Sequence, residues 1–348
     1  MPLPSIPDYS NYIRTPQMVH PHDLQDGHPI EKGMNVVKYA GGFCVVFPYQ
    51  TPKKKYAVRC WHAEVADAKD RLQKIAQALK NSALPYFVGL DYYEDGIMTS
   101  EGIQPIVVMD WVEAKPLKHY IANHINESNK LNELAENFKK MVGELHQQHF
   151  AHGDLQHGNI MVKDDGSLVL VDYDSMYVPA LDGKPDEIKG LAGYQHLARW
   201  KNKNVNEKID YFSELVIYLS LRALAIKPSY WNDLNIEDTE TMLFSGDDIK
   251  SGGSAPIFSE LRHYDELTPL VDKLCEFMHC QSIEDLTPLE NAIVSVSDSI
   301  ASKWGNYVPP KPNVEIDNAD DIAKGWANGN GYKPQSSENM ANDIASKW

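Results

Sequence analysis

The chain has 348 residues, and 33 Lys and Arg against 49 Asp and Glu leave a formal charge of −16. At 43% hydrophobic residues it can bury a sizeable core, which excludes global disorder, and the length fits two domains or one large two-lobed one. The acidic balance argues against gripping nucleic acid through the bulk surface, because neutralising phosphates needs clustered Lys and Arg.

In chain order, residues 1–30 are punctuated by proline without sustained periodicity and read as an extended N-terminal arm. Met1-Pro2-Leu3-Pro4-Ser5 lacks the basic and apolar regions of a signal peptide, so a cytoplasmic protein is expected. From Val36 the pattern turns to strands: Val36–Tyr39, Phe43–Phe47 and Tyr56–Trp61, rich in β-branched and aromatic residues, with Gly41-Gly42 and Thr51-Pro52 between them. A helical stripe follows at Val65, Ala68, Leu72, Ile75, Ala76 and Leu79, then strand-like runs at Tyr86–Tyr93 and Ile103–Trp111. A small sheet carrying one helix is thus expected over 31–112.

Over 113–304 the chain reads as mainly helical. Leu131, Leu134, Phe138, Met141, Val142 and Leu145 form an amphipathic face, and Phe212–Ala225, apolar nearly all round, predicts a buried central helix. The longest apolar run, Leu215–Leu221, is far short of the ~20 residues of a membrane span, so no membrane partner is expected. Cys44, Cys60, Cys275 and Cys280 read as reduced thiols. Cys275, His279 and Cys280 suit core packing better than zinc, since only three ligands are in view.

Residues 305–348 are rich in Asn, Gly, Pro, Ser and Asp and read as a flexible tail. A phrase Ile-Ala-x-x-Trp ends at Trp304, Trp326 and Trp348. It reads either as a helical docking peptide for a protein partner or as a drifting duplication.

Chemistry is concentrated in His152-Gly153-Asp154-Leu155-Gln156-His157-Gly158-Asn159-Ile160-Met161-Val162, followed by Leu168-Val169-Leu170-Val171-Asp172-Tyr173-Asp174. Phosphoryl transfer from ATP needs acidic or amide ligands to hold Mg2+ on the phosphates, and a carboxylate to orient the attacking hydroxyl. Asn159 and Asp172 suit the first task and Asp154 the second. Each has a plainer reading as a turn or cap residue. The combination, with an amphipathic helix before it and a strand after, is far more specific than any member.

On these motifs the sequence resembles the protein-kinase-like superfamily over roughly residues 35–300. The resemblance implies an α+β, two-lobed fold: a small antiparallel sheet lobe, then a helical lobe, with ATP and Mg2+ between them. It implies a Gly-rich loop at Tyr39–Val46 with Gly41 and Gly42, an adenine roof of Val46 and Ala57, and Met109 as gatekeeper. It further implies hinge contacts from the Asp110 and Val112 backbones, a floor at Met161, His152 bracing the catalytic loop, and Asp210 bracing it from the central helix. Gly193–Leu197 would end the activation segment.

The departures are also informative. Arg59 stands where the strand lysine is usual, with no evident helical Glu partner, although Asp67 or Asp70 could substitute. Gly153 replaces the catalytic-loop Arg, Gln156 the Lys, and Asp174 the Gly of Asp-Phe-Gly. His-Gly-Asp-Leu and Asp-Tyr-Asp look closer to aminoglycoside and choline phosphotransferases than to eukaryotic protein kinases. The whole most resembles a group of bacterial, atypical protein-kinase-like proteins. The implied activity is Ser/Thr phosphorylation of a protein substrate, with Asp154 and Arg59 catalytic. The alternatives are a pseudokinase presenting its tail to a partner, with Arg59 a structural ion pair, and a small-molecule phosphotransferase.

Overall fold

The computed structural model describes residues 3–64 and 67–293. The sheet is antiparallel throughout and six-stranded, in the order β1 (His28–Pro29), β5 (Cys44–Gln50), β6 (Lys55–Trp61), β8 (Gly102–Asp110), β7 (Leu90–Thr99), with β4 (Tyr39–Ala40) also on β5. A short hairpin, β2 (Glu31–Lys32) and β3 (Asn35–Val36), stands apart from it. The register places Val46 opposite Arg59, Arg59 opposite Val107, and Ala57 opposite Met109. Because side chains alternate between faces, Cys44, Val46, Ala57, Arg59 and Met109 share one face. Val45, Phe47, Val58, Cys60, Ile106 and Val108 share the other.

That second face explains why these strands are apolar on both sides. Tyr9, Ile13, Val19 and Leu24 close over it and form a separate core. Residues 3–29 are therefore not the extended arm expected above. They carry α1 (Ile6–Tyr12), opened by a Ser5–Asp8 capping box, and they end in β1. Isolated apolar residues without periodicity look like a loop until the sheet face that buries them exists. The Tyr9 hydroxyl donates to the Trp61 carbonyl at 2.9 Å, and Val19 bridges to Ile97.

Helix α2 (Ala68–Ser82) buries Leu72, Ile75 and Leu79. The strand expected over Tyr86–Tyr93 begins only at Leu90. Tyr86–Gly89 instead ties onto the helical lobe: the Leu170 N–H donates to the Tyr86 carbonyl, and the Tyr173 hydroxyl accepts from the Val88 N–H.

Beyond the hinge come β9 (Lys115–Pro116), α3 (Leu117–His124) and α4 (Ser128–Gln147). Helix α4 packs its expected apolar face on α5 (Tyr211–Ile226), which is buried nearly all round. The strands β10 (Ile160–Val162) and β11 (Leu168–Leu170) pair as a hairpin that carries the catalytic-loop sequence at its start. Helices α6 (Tyr230–Asp233), α7 (Gly246–Lys250), α8 (Pro256–Leu261) and α9 (Thr268–His279) follow. Cys275, His279 and Cys280 are each engaged locally: Arg262 donates to the Cys275 sulfur, the His279 ring meets the Cys275 carbonyl, and the Cys280 thiol donates to the Glu276 carbonyl. The architecture is α+β and two-lobed, a curled sheet carrying α1 and α2 followed by a helical lobe. No helix among the described residues is long and apolar enough to cross a membrane. The repeats ending at Trp304, Trp326 and Trp348 lie outside the described residues, as does Val65.

Candidate active site

The inner sheet face, the hinge and the β10–β11 hairpin enclose a cavity of about 520 Å³. Its roof is Val46 and Ala57 and its floor Met161, with Met109 on the back wall; Asp110, Trp111 and Val112 form the hinge side. Gly41, Arg59, Asn159 and Asp172 line the remainder. Gly42 is absent from the lining and has open space at its Cβ position, so the loop approaches the cavity through Gly41.

Two aromatic residues at the mouth had no role in the sequence reading. Tyr39 lies 6.3 Å from Trp111, ring centre to ring centre, and the Lys55 ammonium sits 3.9 Å over the Trp111 ring. Only the β4–β5 pairing brings Tyr39 to the hinge, so no local signal could reveal the contact.

At the far end the cavity becomes charged. Arg59 is buried; its Nη2 donates to Asp172 Oδ1 at 3.0 Å and to Asp174 Oδ2, and its Nε donates to the Cys44 sulfur at 2.9 Å. Burial alone would lower the Arg59 pKa, but the Asp174 and Asp172 carboxylates outweigh it and the pKa is raised. Asp172 adopts φ of +69°, uncommon for a residue with a Cβ, and its carboxylate stays half exposed on the cavity side.

Asn159 donates from Nδ2 to the Asp154 carbonyl at 2.8 Å and to Asp154 Oδ2 at 2.9 Å. This leaves its amide oxygen without a partner among the described residues, as is the second oxygen of Asp172. An amide oxygen and a carboxylate are hard oxygen donors of the kind Mg2+ takes, with phosphate oxygens and water completing the shell. The residues present fit that ion.

Asp154 sits just outside the cavity. Its Oδ1 accepts from the Leu191 N–H at 3.2 Å. Burial pushes its carboxyl above the ordinary carboxylate range; the His152 charge opposes this and Asp172 reinforces it. The loop beneath is fixed from behind. Asp210 accepts from the His152 and Gly153 N–H groups, and His152 Nε2 meets the Val171 carbonyl at 3.0 Å. His157, neutral because burial and the Lys118 charge lower its pKa to about 4, meets the Tyr194 hydroxyl at 2.8 Å.

Gly153 cannot be anything larger. It has φ of +80°, and a Cβ there would lie 2.1 Å from the Ser175 carbonyl oxygen. An arginine reaching from this position to a phosphorylated segment is therefore sterically excluded. The segment after Asp174 is held instead by Arg199, which is fully buried. Arg199 makes a two-pronged ion pair with Asp186 (3.1 Å on both arms) and also donates to the Ile188, Gly153 and Gln195 oxygens. The sequence reading passed over both residues of this pair.

Residues 96–180 match the family model of the ABC1 atypical kinase-like domain, a stretch that includes Asp154, Asn159, Asp172 and Asp174 but not Arg59. Over that stretch the chain is similar to an atypical kinase-like domain. No curated protein matches it. At family level its site is that of a kinase-like phosphotransferase or a pseudokinase.

Proposed function

We propose that this kinase-like protein is an active, ATP- and Mg2+-dependent phosphotransferase whose acceptor is a Ser or Thr hydroxyl of a protein. One observation carries the reading. Asn159 and Asp172 present unengaged oxygens at the charged end of an adenine-sized apolar cavity, with Asp154 bonded to Asn159 immediately beside them. A protein that only binds partners has no need of that trio.

When bound, Mg2+ would neutralise phosphate charge between Asn159 and Asp172. Arg59 supplies the cation for the remaining phosphate oxygens. Val46, Ala57 and Met161 take the adenine faces, and the Val112 backbone takes its edge. Asp154 orients the acceptor hydroxyl and accepts its proton, a task that a raised carboxyl pKa favours. The acceptor must share Asp154 with the Leu191 N–H. A protein substrate is supported by the long segment from Asp172 to Leu197, pinned by Arg199–Asp186. It ends in a 3-10 turn that exposes Leu197 and Trp200 on one side. We further propose that the Trp304, Trp326 and Trp348 repeats engage a protein partner.

A pseudokinase is favoured by one feature, the engagement of Arg59 by both Asp172 and Asp174. Calorimetric titration of ATP with and without Mg2+, with Asp172→Asn as control, separates the two. Metal-dependent binding lost in the variant supports the phosphotransferase, whereas binding indifferent to Mg2+ and to Asp172→Asn supports the pseudokinase.

A further inference from the structure

A guanidinium buried as deeply as Arg59 must be paired, because an uncompensated interior charge is costly. In protein kinases the strand cation is held by a Glu of the sheet-lobe helix. Helix α2 buries no acid. Its buried positions are Arg71, Leu72, Ile75 and Leu79. Its two nearest acids, Asp67 and Asp70, are exposed and both pair with Lys184, at 3.2 and 3.1 Å. Neither is the substitute considered from sequence.

The anion comes from the other lobe. Asp174 is 9% exposed and its carboxylate contacts Arg59 directly. Arg71, the cation that α2 buries in place of an acid, lines the same small cavity as Asp174. The polarity of the usual arrangement is thus inverted: helix and strand each bring an arginine, Arg59 paired with Asp174 and Arg71 donating to the Met176 and Pro185 carbonyls beside it. Asp172 also touches Arg59 but is half exposed and lines the nucleotide cavity, whereas Asp174 does not line it.

We infer that Asp174 is a positioning residue, the permanent counter-ion that aims Arg59 at the nucleotide phosphates and leaves Asp172 free for the metal. This rests on the proposed nucleotide site and deepens it. Metal ligand and phosphate cation are then set by residues two apart in the chain, and α2 has no acid paired with Arg59 through which its movement could release it.

The test uses the full chain and two probes, ATP and adenosine, titrated into the wild type, Asp174→Asn, Arg59→Met and the double variant. Asp174→Asn weakens ATP binding about tenfold, the loss of one well-aimed charge-assisted phosphate contact, while adenosine affinity stays within about twofold. Since Asp174 acts through Arg59, the double variant binds ATP no more weakly than Arg59→Met alone. The double variant also covers the case in which Asp174→Asn does not fold, because it removes Arg59 together with its counter-ion. Unchanged ATP affinity in Asp174→Asn, equal losses for ATP and adenosine, or a double variant weaker than Arg59→Met each overturn the inference. A wild type that binds neither probe overturns the nucleotide site itself, and this inference with it.

Discussion

The two ends of the cleft follow different rules. One end is built from apolar walls, Val46, Ala57, Met109 and Met161. The other carries charge: Arg59 where a lysine is usual, Asp174 where a glycine is, Arg71 on the helix, and the Arg199–Asp186 pair under the segment after Asp174. Apolar surface is non-directional, so walls of similar size substitute singly. Buried charges cannot change singly, because removing one partner strands the other. A change at the charged end therefore needs a matching change in its partner.

This contrast can be broken at several points. The largest effect is expected at Asp154. Asp154→Asn should cut turnover by about 10²–10⁴, the usual contribution of a positioned base, while leaving ATP affinity nearly intact. Equal turnover in the two proteins would remove Asp154 from the chemistry. Next comes the buried pair: Arg199→Met leaves Asp186 uncompensated and should cost about 3–5 kcal/mol of stability, read by denaturant unfolding. A loss below about 1 kcal/mol would mean that Lys189, also on Asp186 at 3.1 Å, suffices.

A third probe lies behind the site, where His146 sits between Glu214 and Glu290 at 2.8 and 3.0 Å. Burial lowers its pKa, but the hydrogen bonds its ring donates to both carboxylates outweigh this and raise it from 6.5 to about 10. A raised pKa means the folded state holds the proton more tightly. The contribution is therefore complete below about pH 6.5 and is lost as pH rises through about 10. The Tm of the wild type should fall across that window, and that of His146→Gln should fall less; parallel curves would refute the pairing. The smallest effect belongs to the adenine end. Met161→Ala should weaken ATP roughly three- to tenfold by losing apolar contact, at about 25 cal/mol per Å². A larger loss there than at Arg59 would reverse the contrast.

Much of this was legible before any coordinates. Helix α4 announces itself by period, α5 by a continuous apolar run, and the grouping of Asp154, Asn159 and Asp172 by spacing, because these signals are local. Three things were not legible. The burial of Tyr9, Ile13, Val19 and Leu24 depends on a sheet face formed by residues 44 to 108. Tyr86–Gly89 has strand-like composition, yet its partners are in the helical lobe. Asp174 looked like a defect in a motif because its partner lies 115 positions away. Each miss is a long-range pairing, which composition and period cannot encode.

The segment that covers the outer sheet face has a consequence for the order in which the chain acquires structure. Tyr9 is hydrogen-bonded to Trp61, and Val19 bridges to Ile97. The face they cover is not complete until Ile106 and Val108 have been made. At about 5–20 residues per second, Tyr9 and Val19 wait several seconds for their docking surface. Meanwhile Phe47 and Val58 have no cover, and the strand edges stay unpaired. In the helical lobe α4 likewise waits for its main partner α5, which begins only at Tyr211. During synthesis the outer sheet face should thus need protection from aggregation until Val108 has been made, and the apolar face of α4 until α5 has.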